Sequence, residues 1–236
     1  MQYTDNSCLF AVMSTAEFRE RKEEFAYKKE MLHSLGSIRY CKAELFKECI
    51  LGTIRLPQKN EQKKAQLSFG FYLTGRKVFF VEDEGKMKAW IEKQTEMFQE
   101  VDTPKQLLLR IMEHMIEEDT LYFSHMESEL DKLEEKISGG TGSNNNFFTS
   151  LIKHRQKLSE FNIYYEQLID IAELFSTCDF YQSEQDTQGW DRFMHRVEQL
   201  QNHVHLLREN VLQIRELYQS MQDAHQNKIM AVITIV

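Results

Sequence analysis

Few residues in this 236-residue sequence are spaced for bond-making chemistry. Gly139-Gly140-Thr141-Gly142 has the outline of a phosphate loop. It lacks the Gly-Lys-Ser/Thr ending, however, and follows a helical run instead of a strand, so it reads as a linker. His203 and His205 stand two apart and would face different sides of a helix, where they cannot hold one ion together. No His-Glu-x-x-His, Gly-x-Ser-x-Gly or zinc-type Cys/His spacing is present. The cysteines at 8, 41, 49 and 178 are far apart and unpaired by spacing, which points to reduced, buried thiols and excludes a disulfide scaffold. A convergent catalytic set is thus missing, and the sequence is not that of an enzyme. The chemistry that does stand out is carboxylate chemistry: Glu113, Glu117, Glu118, Asp119, Glu127, Glu129, Asp131, Glu134 and Glu135 crowd one stretch. They form either a solvated face or a field that concentrates cations.

That acidity is positional. Residues 1–100 carry 17 Lys+Arg against 15 Asp+Glu, whereas residues 107–137 carry 3 against 9. The net charge of −8 argues against a nucleic-acid binder, which needs a clustered basic surface. Nine Gly and two Pro in the whole chain predict long uninterrupted helices.

The elements that would position these residues follow from periodicity and punctuation. Cys8–Met13 is a short apolar run of strand length. Ser14 and Glu17 after it form a capping box for a helix that runs to Leu35 and stops at Gly36. Segments 38–45, 48–56, 66–73 and 77–82 read as strands, the last two joined by Thr74-Gly75-Arg76 as a hairpin with Gly75 at positive φ. A short helix over 85–99 closes this part. Thr103-Pro104 then starts a helix with nothing to break it before Ser138, and the Gly/Ser/Asn tract to Asn146 is a turn. Further helices are expected over 147–175 and from 185 to the end. The division is therefore 1–102 as an α/β domain, 103–182 as an acidic antiparallel helical pair and 183–236 as a stalk helix. The class is α+β, with a mixed sheet flanked by helices in the N-terminal part.

Val197, Leu200, Val204, Leu207, Val211, Ile214, Tyr218 and Met221 recur at alternating spacings of three and four, the repeat of a coiled-coil seam. Its upper part suits packing against the chain's own helices, its lower part self-association. Beyond it, Ile229–Val236 is apolar and too short to span a bilayer, which takes about 20 residues. With no capping or stop signal before it, the run is expected to be the start of a membrane helix.

The order of elements resembles the CorA family of divalent-cation transporters, and the most specific stretch is Leu207-Arg208-Glu209, Glu216-Leu217-Tyr218 and Asn227-x-x-Met230-x-x-x-Thr234. Leu121-Tyr122-Phe123 and the Phe71–Asp83 hairpin are similar to the family as well. The resemblance implies channel-like transport of Mg²⁺, with Co²⁺ or Ni²⁺ as substitutes, by a homopentamer in the cell membrane, this chain lying on the cytoplasmic side. It implies no resident cofactor, the divalent cation being the transported and a regulatory ion. Asn227, Met230 and Thr234 match pore-lining positions, and Glu216 a position near the cytosolic mouth. Asp191 resembles the stalk acid of the family's regulatory metal site, with Glu61 in the partner loop. That loop also holds Lys59, Lys63 and Lys64, so weak Mg²⁺ regulation is expected. The family's Gly-Met-Asn signature and second membrane helix are not in this sequence. A zinc transporter of the same family and a soluble helical oligomerisation or adaptor module are the alternative readings.

Overall fold

The computed structural model describes residues 9–21, 25–59, 67–94, 101–139, 145–178 and 184–235. Cys8, residues 60–66 and the tract at 140–144 lie outside them. Among the described residues the elements follow in the order β1 (Phe10–Met13), α1 (Thr15–Glu20), α2 (Lys28–Leu35), β2 (Lys42–Leu45), β3 (Ile50–Arg55), β4 (Ser68–Leu73), β5 (Val78–Val81), α3 (Lys86–Lys93), α4 (Pro104–Met115), α5 (Asp119–Ser138), α6 (Asn145–Thr177) and α7 (Glu184–Ile235). The class is α+β, with a mixed sheet followed by long helices. By internal contacts the chain divides into one unit of residues 1–118 and 164–199 and a second of residues 119–163 and 200–236.

In the first unit the sheet order is β1-β5-β4-β3-β2, with β1 parallel to β5 and the other pairs antiparallel. β3, β4 and β5 are buried almost throughout, because helices cover both faces. On one face Met13, Phe18, Phe25, Met31, Cys49, Leu51, Tyr72, Phe79 and Val81 form a continuous core. On the other Phe71 meets Phe175 of α6, which stacks on Trp190 of α7 at 4.3 Å and 11°. Cys41 is buried beside Arg55, whose backbone N–H donates to its Sγ, and burial pushes this thiol up to about 12. The described cysteines, 41, 49 and 178, are free and buried.

Local signals account for the helix starts. Ser14 accepts from the backbone of Glu17, and Glu17 returns a carboxylate to the Ser14 N–H at 2.7 Å. Thr103 caps α4 through the N–H of Gln106, whose side chain accepts from the Asp102 N–H at 3.0 Å.

Three expectations are corrected. The single helix over 15–35 is two, α1 and α2. Lys28 Nζ donates to the carbonyls of Arg19 and Arg21 at the end of α1, and the Tyr72 hydroxyl donates to Ala26 O at 3.0 Å, so tertiary bonds satisfy the groups that the break frees. The helix expected to run unbroken from Pro104 turns after Met115. There Ile116 and Glu117 donate three residues back, to Glu113 and His114, and α5 restarts with an acid, Asp119, in its first turn. The hairpin between β4 and β5 is present but does not use Gly75 at positive φ; the glycine with positive φ among the described residues is Gly85, at the N-cap of α3. The Thr74 hydroxyl holds the turn instead, accepting from Lys77 N at 3.0 Å and donating to Lys77 O at 2.9 Å.

Candidate functional site

Two stretches of α7 hold the residues singled out by type and spacing, one in each unit. At its head, in the first unit, Trp190 and Phe193 are buried and Asp191 is half-buried. Asp186, 3 % exposed, lines a polar cavity of about 290 Å³ together with Asp102, Gln106, Arg110, Glu113 and Arg192. Arg110 and Glu113, one turn apart on α4, pair at its wall at 3.1 Å. Gly189 also lines this cavity, and a Cβ there would come within 2.7 Å of Leu109 Cδ2, so α4 and the head of α7 approach closely. Asp191 is not among the lining residues. No group of three or more His, Cys, Asp or Glu suited to a metal ion occurs among the described residues. Glu61, Lys63 and Lys64 lie outside them.

In the second unit α5, α6 and α7 pack around aromatic contacts. Phe123 of α5 meets Phe161 of α6 edge-on at 5.0 Å and His203 of α7 at 5.6 Å. The coiled-coil repeat of α7 is consumed inside the chain over much of its length. Leu200, Val204, Leu207, Val211 and Ile214 are each at most 5 % exposed, and Val197 is buried in the first unit. Tyr218 stacks on Phe147 at 4.9 Å and 20° and meets Phe148 edge-on at 4.8 Å. Met221 is half-buried. Leu206 and Leu212, off this stripe, are 63 % and 49 % exposed.

Past that clasp the surroundings change. Glu216 is exposed, and so is every side chain from 223 to 231, Asn227 included. Ile229 and Met230 are 47 % and 67 % exposed. The helix is continuous to Ile235, so positions 227, 230 and 234, three and four apart, fall on one side of it. Among the described residues no helix is long and apolar enough to cross a membrane. The carboxylates of α5 from Glu127 to Glu135 are all exposed, as a solvated face requires. Two of them nevertheless meet imidazoles of neighbouring helices: Glu129 lies 3.7 Å from His154 of α6, and Glu127 lies 4.0 Å from His203 of α7. Neither these pairs nor the Phe147–Tyr218 stack has a signature in sequence spacing, since the partners lie on different helices. The one available hint is the Phe147-Phe148 doublet that opens α6 directly after a polar tract.

Comparison with known proteins places this architecture. A family model described as CorA-like Mg²⁺ transporter protein matches residues 29–236. A search of curated proteins finds no match. Among solved structures, the CorA magnesium transporter from Methanocaldococcus jannaschii superposes with a TM-score of 0.79 at 14 % identity, covering 99 % of this chain and 76 % of that one. The full-length CmaX protein also gives 0.79, at 15 % identity, covering 96 % of this chain and 72 % of that one. The cytoplasmic domain of ZntB from Vibrio parahaemolyticus RIMD 2210633 gives 0.70 at 10 % identity, covering 91 % of this chain and 88 % of that one. At such identities the shared property is the fold.

Proposed function

We propose, from the premise that this chain belongs to the CorA-like Mg²⁺ transporter family, that it is the cytoplasmic part of a homopentameric channel for hydrated Mg²⁺, with Co²⁺ or Ni²⁺ as substitutes. The observation that carries the reading is the family match running to the end of α7, where an unbroken helix presents exposed side chains from 223 to 231. A helix whose side chains from 223 to 231 are exposed can surround a common axis with its copies. In that arrangement Asn227 and Thr234 contribute rings of amide and hydroxyl oxygen, Met230 a hydrophobic constriction, and Glu216 an acidic ring toward the cytosol. Mg²⁺ gives up water reluctantly, so neutral oxygen donors can bind its hydration shell without stripping it. The acidic ring and the exposed carboxylates of α5 would raise the local cation concentration.

The test is uptake into liposomes by the full-length gene product, with Mg²⁺, Co²⁺, Ni²⁺ and Zn²⁺ as separate arms. Mg²⁺ influx is expected, and Asn227→Ala is expected to lower it about tenfold, the equivalent of one lost charge-assisted contact. Influx of Zn²⁺ alone would replace this reading with the zinc branch of the family, and no flux of any of the four ions would sink it.

Asp191 is the residue of the proposed regulatory site for which a position is described, and the partner loop with Glu61 also carries Lys59, Lys63 and Lys64, whose charge opposes a cation there. Millimolar Mg²⁺ is therefore expected to raise the melting temperature of this chain by only about 1 °C, as for a ligand near its dissociation constant. A rise several times larger, abolished in Asp191→Ala, would establish a regulatory site.

A further inference from the structure

His154 sits where a proton is costly. It lies on α6 facing α5, with its side chain 13 % exposed, and the Glu129 carboxylate of α5 is 3.7 Å from its Nε2. Burial holds its pKa below the ordinary 6.5, and the Glu129 charge opposes that only in part. No charged group of α7 adds to these two influences among the described residues. On α6 itself the charged side chain one turn further along, Lys157, is paired with Glu160 at 2.8 Å. The second imidazole of this unit differs in setting. His203 of α7 is 27 % exposed at the side chain, faces Glu127 of α5 at 4.0 Å and rests edge-on against Phe123. A proton on His154 must be accommodated between two packed helices.

We propose that the seam between α5 and α6 is a proton-responsive joint, closed while His154 is neutral and loosened when its imidazole takes up a proton. Glu129 sets the pH at which this happens. The direction follows from linkage. The unfolded or opened chain binds a proton near pH 6.5, and the closed seam resists it, so the stability contributed here is in full above about pH 6.5 and is lost as the pH falls through the folded value. The inference concerns regulation of the helical unit by acidification and does not depend on which ion is carried.

Hydrogen exchange on this chain tests it. Corrected for intrinsic rates, a loss of protection in α5 is expected as the pH is lowered from about 7.5 to about 5.5. His154→Gln should flatten that dependence, and Glu129→Gln should move the fall to lower pH by removing the charge that favours the proton. Protection that does not change with pH would overturn the proposal. So would a His154→Gln protein that keeps the wild-type fall, since exposed carboxylates would then be responsible. If His154→Gln does not fold, the proton NMR titration of the wild-type imidazole decides: a midpoint below about 6.5 supports the joint, and one at or above it refutes it.

Discussion

Trp190→Ala is expected to destabilise the first unit by about 3–5 kcal/mol, the range for deleting a buried aromatic side chain. The indole is 0 % exposed and stacks on Phe175, and Phe193 meets it edge-on at 5.8 Å. Phe175 in turn reaches Phe71 of β4 at 6.5 Å, so one aromatic row ties α7 and α6 to the sheet. Removing its middle member takes away the transfer energy of the ring and leaves a cavity between partners that cannot collapse together, since each is anchored on its own element. For a chain of this size the loss corresponds to a drop in melting temperature of about 10 °C. Circular dichroism is the right probe, because the substitution also removes a fluorophore. Trp190→Phe supplies the control. It keeps a ring in the stack and deletes an indole N–H that has no acceptor within hydrogen-bond distance among the described residues, so it should cost about 1–2 kcal/mol. Equal losses for the two variants would show that the stack is not what holds α7 to this unit.

The elements that could be read from sequence were those governed by neighbours in the chain. Ser14 with Glu17 and Thr103 with Pro104 set helix starts through groups three residues apart, and both starts are where those residues place them. Alternation in β4 gave the strand but not its environment. Phe69, Phe71 and Leu73 suggested one buried face, while Gly70 and Tyr72 are buried too, because α2 covers the opposite side. Where tertiary groups decided the outcome, periodicity failed. Phe18 and Phe25 are seven residues apart, as on one continuous helix face, yet the chain breaks between them and both rings join the same core, 4.4 Å apart. Nothing local announces that Lys28 and Tyr72 will satisfy the carbonyls exposed by that break. The same division holds for the candidate site. That Asn227, Met230 and Thr234 share one side of a helix was legible from their spacing, because α7 is continuous through all three. The repeat from Leu200 to Ile214 told that a partner was needed and suggested the chain's own helices for its upper part, but how far down α7 that packing would run depends on α5 and α6, whose own patterns do not fix it. His154 and Glu129 carried no signal, since a contact between a histidine and an acid on separate helices has no period.

The second large effect is expected at Gly52, where the requirement for glycine is steric. Gly52 stands opposite Phe71 in the β3–β4 register and opposite Ala43 in the β2–β3 register, in the interior of the sheet. A Cβ at this position would lie 2.2 Å from Phe71 Cζ, 2.3 Å from Cε1 and 2.4 Å from the Lys42 carbonyl oxygen. The Phe71 ring occupies the space that a side chain on Gly52 would need. It cannot swing away freely, because it is fully buried and Phe175 lies beside it. The Lys42 carbonyl is backbone in the neighbouring strand and can move only if the strand moves. Gly52→Ala therefore combines overpacking with displacement of an edge strand, and its expected cost is about 3 kcal/mol, the upper part of the usual range for an inserted methyl. Gly70 offers the comparison. A Cβ there would meet Leu35 Cδ2 at 2.5 Å and Met31 Cε at 2.6 Å, both ends of flexible side chains on α2. Those can rotate, so Gly70→Ala should cost less than half as much. Paired thermal melts of the two variants check the argument: a Gly52→Ala protein as stable as Gly70→Ala would mean that the Phe71 ring has another place to go, and that the aromatic row it begins is looser than its distances imply.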